Sequence, residues 1–231
     1  DVMRLSKEFS VSEMTIRRDL AELEEQGLIK RTYGGAKPNE TRLHELSLKV
    51  KINQFVEEKK RIGQAAAELI SNEDTIILDT GSTTFQILPH LVDKHITVIT
   101  NGLTIAVELG NYPQIKTFVA GGMLRPGPLS VVGPQTETFL LGLSVDKLFM
   151  GVDGIDIEAG FTVPDLFDAH TKKAMIRCAQ QVIVVADHTK LGNRAFAPIA
   201  ALDQANLLIT DSDAPDEVIS QLREHIEVLV V

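Results

Sequence analysis

Apolar residues recur at helical spacing in the first quarter of the chain. Beyond it they gather into short runs separated by amphipathic stretches. Val2, Leu5 and Phe9 fall at i, i+3 and i+7, so residues 1–9 are predicted to form a helix with that stripe inward. Ser10-Val11-Ser12 interrupts it. The Ser12 hydroxyl suits the start of a second helix, where it can accept an otherwise orphan backbone N–H. That helix is predicted to run to about Gln26, with Ile16, Leu20 and Leu23 buried, and to stop at Gly27. Leu28 to Thr32 and the stretch after Gly34-Gly35 read as a short hairpin. Two short helices, a tight turn and a hairpin make a winged helix-turn-helix.

Residues 36–42 are polar and contain a proline, as a linker would. A helical pattern follows from about Leu43 to Ile70, with an interruption near Asn53. From Asp74 onward strand-like runs appear at Thr75–Leu78, Ile96–Thr100, Thr117–Ala120, Lys147–Val152, Val182–Ala186, Leu207–Thr210 and Val228–Val231. Helical stretches lie between most of them, which predicts an α/β domain with a largely parallel sheet. The expected division is a DNA-binding unit over 1–37, a linker and connecting helix over 38–61, and a ligand-binding domain over 62–231.

Composition narrows this further. At 231 residues, one or two domains are expected. The 44% hydrophobic and 24% charged content is that of a soluble globular chain. No apolar run approaches the roughly 18 residues of a membrane helix, so no membrane partner is expected. The single Cys178 excludes an internal disulfide and a Cys-rich zinc site, and a reducing cytoplasm is the expected compartment. The net charge of −9 argues against nucleic-acid binding by the whole surface. Yet residues 1–61 carry 13 Lys/Arg against 11 Asp/Glu, while residues 62–231 carry 10 against 21. Any anion-seeking face therefore sits at the N-terminal end.

The stripe through Ile16 and Leu20 leaves Thr15, Arg17 and Arg18 on or near the open face of the second helix, just after Ser12. These are the first turns, which meet the major groove in a recognition helix. Arginine can read a guanine edge bidentately or hold a phosphate. Lys30, Arg31 and Tyr33 on the hairpin could grip the neighbouring backbone. The competing reading is a solvated amphipathic helix with two incidental arginines.

The second candidate is Asp79-Thr80-Gly81-Ser82-Thr83-Thr84, between a predicted strand and a predicted helix. Gly81 lets the backbone approach a ligand. The hydroxyls of Ser82, Thr83 and Thr84 and nearby N–H groups can then cradle an anion. The plainer reading is a strand-to-helix turn capped by Ser82. Four further strand ends carry small, hydroxyl or charged residues: Thr100-Asn101-Gly102, Gly121-Gly122 with Arg125, Gly151-Val152-Asp153-Gly154, and Ala186-Asp187-His188-Thr189-Lys190. Ligands of open α/β sheets bind beyond such ends.

Thr-Ile-Arg-Arg-Asp-Leu at 15–20, the segment Leu23–Ala36 closing in Gly-Gly-Ala, and the strand-end motifs together resemble the DeoR family of bacterial sugar-metabolism regulators. Those strand-end motifs are Asp-Thr-Gly-Ser-Thr-Thr, Thr-Asn-Gly, Gly-Gly-Met-Leu-Arg, Gly-Val-Asp-Gly-Ile-Asp and Ala-Asp-His-Thr-Lys. The resemblance spans nearly the whole chain. It implies a winged helix-turn-helix, lacking the family's usual preceding helix, joined to a larger effector domain similar to ribose-5-phosphate isomerase. Double-stranded operator DNA and a phosphorylated sugar are the implied partners. By position, Ser82, Thr83 and Thr84 would hold the phosphate. Asp79, Asn101, Asp153 and Lys190 would face the sugar or phosphate, and Lys172 matches a further family position. The family pattern has glutamate where this chain has Asp168, and Phe167 and His170 are also unusual.

The six histidines show no zinc spacing, so no metal site is expected, nor any cofactor. Asp153 and Lys190 are of types that can transfer protons, which keeps a sugar-phosphate isomerase as the rival to a regulator. The attached DNA-binding unit favours the regulator, so no catalytic set is assigned. A homodimer or homotetramer matched to operator half-sites is expected.

Overall fold

The computed structural model describes residues 1–25, 29–38 and 47–231. The chain opens with α1 (Val2–Glu8), whose first turn is capped by the Asp1 carboxylate accepting from the Met3 N–H at 2.8 Å. In α2 (Glu13–Glu25) the Ser12 hydroxyl accepts from the Thr15 N–H at 3.1 Å, as its position in the sequence suggests. β1 (Ile29–Thr32) and β2 (Gly35–Pro38) pair antiparallel, Ile29 opposite Pro38 and Thr32 opposite Gly35. Val2, Ile16 and Leu20 are buried together, with Leu5, Leu23, Ile29 and Ala36 packed around them.

Two local expectations need correction here. Phe9 is 63% exposed rather than part of the stripe. The helix ends at Glu8 and the chain turns at Ser10, with φ 54°, so Phe9 lies past the last core-facing turn. Residues 36–38 belong to β2 and not to a linker, because they supply the hairpin partner of β1. The predicted helix end at Gln26–Gly27, the strand start at Leu28, and residues 39–46 lie outside the described residues.

The long helical stretch is two helices, α3 (Leu48–Ile52) and α4 (Val56–Glu68). The break falls at Asn53, as predicted. Its side-chain amide donates back to the Lys49 carbonyl at 3.0 Å, an alternative to continuing the helix. Phe55 then takes a left-handed φ of 51° and α4 starts in a new direction.

The remaining strands, β3 (Thr75–Leu78), β4 (Thr97–Thr100), β5 (Lys116–Val119), β6 (Met123–Arg125), β7 (Ser130–Val132), β8 (Val145–Met150), β9 (Gly154–Asp156), β10 (Gly160–Val163), β11 (Ala179–Val185), β12 (Ala197–Ala200), β13 (Leu207–Thr210) and β14 (Glu227–Val230), alternate mostly with helices. The helices are α5 (Leu103–Leu109), α6 (Pro134–Leu141), α7 (Leu166–Cys178) and α8 (Asp216–Leu222). Seven strands form one all-parallel sheet in the order β14-β13-β11-β8-β3-β4-β5. These are the seven runs predicted from the sequence, with ends shifted by a few residues. β6–β7 is a separate hairpin, and β12-β10-β9 is a small antiparallel sheet.

Sheet residues alternate between two cores. Ile77, Leu148, Met150 and Val184 face one, with Ala174 and Met175 of α7 and Ile219 of α8. Ile76, Leu78, Phe149 and Ile183 face the other, with Ile62 and Ala66 of α4 and Ile105 of α5. A sheet covered on both faces needs strands apolar at nearly every position. Ile-Ile-Leu at 76–78 and Val-Ile-Val-Val at 182–185 supply this. From β3 the chain winds outward to β4 and β5, then returns to lay β8 on the other side of β3. The order therefore reverses between β3 and β8, where α/β sheets open a crevice at their carboxyl ends.

The helix predicted after Thr83 is present over Thr84–His90, and it is of the 3₁₀ type. Pro89 within it has no N–H to give to an α-helical ladder.

Candidate functional site

The crevice beyond β3 and β8 is a small cleft, partly open to solvent. The turn Thr80–Thr83 after β3 forms one wall, and Gly151–Asp153 after β8 the next. Asp168 and Lys172 of α7 close the side, and Lys190 reaches in from the loop after β11. Leu48 and Lys51 of α3 complete the lining.

Ser82 and Thr83 are nearly buried. Among the described residues, neither hydroxyl has a hydrogen-bond partner, and the N–H groups of Gly81, Ser82 and Thr83 donate to nothing. Polar groups hidden from bulk water normally find partners. A turn with this many unused donors, beside three lysines, has the chemistry to receive an anion.

The charges are arranged in layers. Asp79 lies fully buried under the turn, hydrogen-bonded to the Lys172 ammonium and accepting from the Gly151 N–H at 3.1 Å. Lys172 also donates to the Gly151 carbonyl at 3.0 Å and lies 3.9 Å from Asp168. Burial opposes the Lys172 ammonium, but Asp168, Asp79 and Asp153 outweigh it and hold its pKa above the ordinary lysine value. Burial pushes the Asp79 carboxyl up to about 6 despite Lys172. Lys172 therefore stays an ammonium, and Asp79 is a carboxylate that burial makes reluctant to ionise. Asp153 takes the Lys51 ammonium at 2.6 Å. Burial alone would raise its carboxyl, but Lys51, supported by Lys190 and Lys172, keeps it below the usual range.

Of the residues singled out from the sequence, Gly81, Ser82, Thr83, Asp153, Lys172 and Lys190 line this cleft. The others lie behind or beside it. Thr84 is buried and its hydroxyl donates to the Gly81 carbonyl at 3.1 Å. Asn101 is buried too: its side-chain oxygen accepts from the Thr80 N–H at 3.1 Å, and its amide donates to the Val131 carbonyl at 3.3 Å. Both brace the turn. Gly122 has φ +152°, and a Cβ there would overlap the Thr136 hydroxyl, so close packing accounts for this glycine. Arg125 sits 3.4 Å from Asp165 and 3.7 Å from Asp168, behind the α7 wall. In the Asp168 carboxylate, Oδ1 has no hydrogen-bond partner.

Sequence reasoning missed Lys51 and Lys59. Lys59 is 3% exposed and donates to the carbonyls of Lys51 at 2.6 Å and Gln54 at 2.7 Å. Its ammonium also lies 3.8 Å from the buried Asp187. Desolvation brings its pKa down to about 8 despite Asp187. Both lysines fall in the stretch read as linker and connecting helix, where the break at Asn53 was the one visible mark. Nearby, His188 Nδ1 lies 2.8 Å from Asp211. His188, Asp211 and Asp213 bring one ligand-type atom each within 4.8 Å, a grouping that spacing did not reveal. Both Asp211 oxygens already accept backbone N–H groups, from His188 and Asp213, so the trio serves as a turn clasp.

On α2, Arg17 lies 3.5 Å from Glu13 and Arg18 lies 3.8 Å from Asp19, all four side chains well exposed. Pairs of this kind are screened and worth little, so a phosphate or base edge can displace them. The Thr15 hydroxyl is engaged with Ser12 at 2.9 Å. On the hairpin, Lys30, Arg31 and Tyr33 are exposed, and the Arg31 N–H is held by Glu24 at 2.9 Å.

Comparison with known proteins gives two family-model matches: the DeoR-like helix-turn-helix domain over residues 1–42 and the DeoR C terminal sensor domain over residues 54–212. The chain is 39% identical over 211 residues to the uncharacterized HTH-type transcriptional regulator YulB of Bacillus subtilis, covering 91% of this chain and 82% of that one. It is 36% identical over 222 residues to the HTH-type transcriptional regulator GlpR of Haloferax volcanii, covering 94% and 87%. It is 34% identical over 223 residues to the glycerol-3-phosphate regulon repressor of Escherichia coli, covering 96% and 88%. Among solved structures it matches the sorbitol operon regulator SorC of Klebsiella pneumoniae at 12% identity, 96% and 93% coverage and TM-score 0.48. Ribose 5-phosphate isomerase of Plasmodium falciparum matches at 17% identity, 57% and 51% coverage and TM-score 0.42.

Proposed function

The chain belongs to the DeoR family of transcriptional regulators, and from that premise we propose that it is a repressor of a sugar-utilisation operon, controlled by a phosphorylated sugar bound in the β3–β8 cleft. It is a DNA-binding regulator and not an enzyme; the isomerase reading gives way to the family. Relatives named as repressors, among them a glycerol-3-phosphate regulon repressor, support the reading of the operon. The observation that carries the effector class is the Gly81–Thr83 turn, with its unused N–H groups and hydroxyls facing a cleft bounded by Lys51, Lys172 and Lys190. Such a set suits a dianionic phosphate, and the carboxylates Asp153 and Asp168 suit the hydroxyls of a sugar.

Ser12, Thr15, Arg17 and Arg18, with Lys30, Arg31 and Tyr33, form the operator-facing set. The unit over 1–38, which includes all of β2, reads DNA, residues 39–61 connect, and 62–231 sense the effector. One headpiece covers only a few base pairs, so a homodimer or homotetramer supplies matched half-sites. No helix among the described residues is long and apolar enough to cross a membrane. The cytoplasm, where phosphorylated sugars and the chromosome are found, is the proposed compartment.

Thermal unfolding against a panel of phosphorylated sugars and their unphosphorylated counterparts tests the effector class. A phosphorylated member at 100 times its Kd stabilises by about 2.7 kcal/mol. Its counterpart leaves the midpoint unmoved. A panel without effect overturns the effector assignment and leaves the DNA-binding one standing.

A further inference from the structure

α3 is the first described element after the headpiece hairpin, and it roofs the cleft. Contacts with the described residues seat it. The Leu48 N–H donates to the Gly127 carbonyl at 3.1 Å. Lys51 grips Asp153 at 2.6 Å. Lys59 ties the end of α3 to α4 through the carbonyls of Lys51 and Gln54. Of these, the Lys51–Asp153 pair alone joins a cleft-lining cation to a cleft-lining anion, with the two side chains 18% and 22% exposed. An anion seated on the Gly81–Thr83 turn enters this same space. It competes with Asp153 for Lys51 and adds a further anionic partner for α3.

We propose that Lys51 both binds the anionic effector and couples it to the headpiece, by sharing or exchanging its Asp153 partner for the ligand phosphate and so fixing the seat of α3. The inference rests on the cleft being the effector site. A ligand shifts an equilibrium only through contacts that differ between the two states. Lys51 supplies such a contact, present when α3 is seated and absent when it lifts. The coupling is reciprocal: what frees α3 weakens the ligand, and what binds the ligand holds α3. Lys51 is thus a positioning residue for the connector as well as a ligand contact. It stands where a signal from the cleft must pass to reach residues 1–38 along the chain.

The test is backbone hydrogen exchange on the full chain, with inorganic phosphate as the probe and chloride at equal ionic strength as control. In the native protein, phosphate should slow exchange both at Gly81–Phe85 and across Leu48–Ile52. In Lys51→Gln, phosphate affinity should fall by roughly tenfold to a hundredfold, the size of one lost charge-assisted hydrogen bond. Protection should then remain at the turn and vanish from α3, and Lys51→Arg should restore both. Asp153→Asn, which removes the competing carboxylate, should tighten phosphate binding and keeps the proposal testable if Lys51→Gln does not fold. Phosphate that protects the turn with equal affinity in native and Lys51→Gln proteins, leaving α3 unchanged, overturns the coupling but keeps the effector site. Unchanged or weaker phosphate binding in Asp153→Asn overturns the exchange of partners. A native turn that phosphate does not protect overturns the site reading, and the coupling with it.

Discussion

Asp79 shows how one buried carboxylate can tie together the walls of a cleft. It takes no place in the cleft lining, yet it anchors Lys172 and the Gly151 backbone directly beneath it. Its pKa is raised from 3.8 to about 6, so between those values the folded chain holds more protons than the unfolded one. The contribution of this group is then greatest below 3.8 and is lost as pH rises through about 6. Asp79→Asn lacks that loss, so its stability relative to the native chain should improve as pH is raised across the window, read from urea midpoints. Lys59 behaves in the opposite sense. Its value is lowered from 10.5 to about 8, so its contribution grows as pH rises across that interval. Lys59→Met strips two carbonyls of their donor and leaves Asp187 without its cation. A loss of about 3 kcal/mol in chemical unfolding is expected. At this scale the sequence was half legible. Ser82, Thr83 and Lys190 follow strands whose ends could be read from their apolar runs. Thr84, Asn101 and Gly122 have the right types at the right ends, but their side chains or contacts turn inward to brace the loops. Direction of that kind depends on backbone geometry that spacing does not encode. Lys59 was illegible because nothing local distinguishes a buried lysine from its exposed neighbour Lys60.

Elements with strong periodicity were readable and short ones were not. The sheet strands carry nearly continuous apolar runs, and α2 carries a clear stripe. β6, β7 and β9 are three residues each, held by a few cross-strand pairs, and no pattern of period two can emerge from so few positions. Helix α4 makes a closer approach than its composition suggests. A Cβ at Gly63 would drive into the backbone of Gln86 in the 3₁₀ helix, and a carbonyl cannot swing aside as a side chain would. Gly63→Ala should therefore cost about 1–3 kcal/mol, the usual toll of overpacking, against the small gain alanine brings to an exposed helix. On α2, Arg17→Ala and Arg18→Ala separate two roles. The one that meets a base edge should lose about 1–3 kcal/mol on the selected sequence and discriminate less. The one that meets phosphate should weaken all sequences alike and lower the salt slope by about 1. Titration of sites selected from a random DNA pool, at several salt concentrations, distinguishes them. Affinity and slope unchanged from the native chain in both variants would remove α2 from the interface.

At the scale of the molecule, the uneven charge makes a division of labour. Residues 62–231 carry 21 acidic against 10 basic side chains, and so repel DNA outside the headpiece. A dimer presenting two headpieces should bind a paired half-site far more tightly than a single one. Sedimentation of the full chain together with half-site and full-site titrations checks this, and a monomer with equal affinity for both would refute it. The switch in strand order has a further consequence, for synthesis. The contact between Asp79 and Gly151 spans 72 residues, that between Asp79 and Lys172 spans 93, and that between Lys51 and Asp153 spans 102. No continuous piece shorter than most of the domain can hold the cleft. While the ribosome is still extending β4 and β5, the Gly81 turn has no opposite wall, and its donors are solvated rather than shaped. On the proposed reading of the cleft, a nascent chain is therefore blind to an effector until α7 has emerged and β8 has docked beside β3, which makes sensing one of the last properties this protein would acquire as it is born.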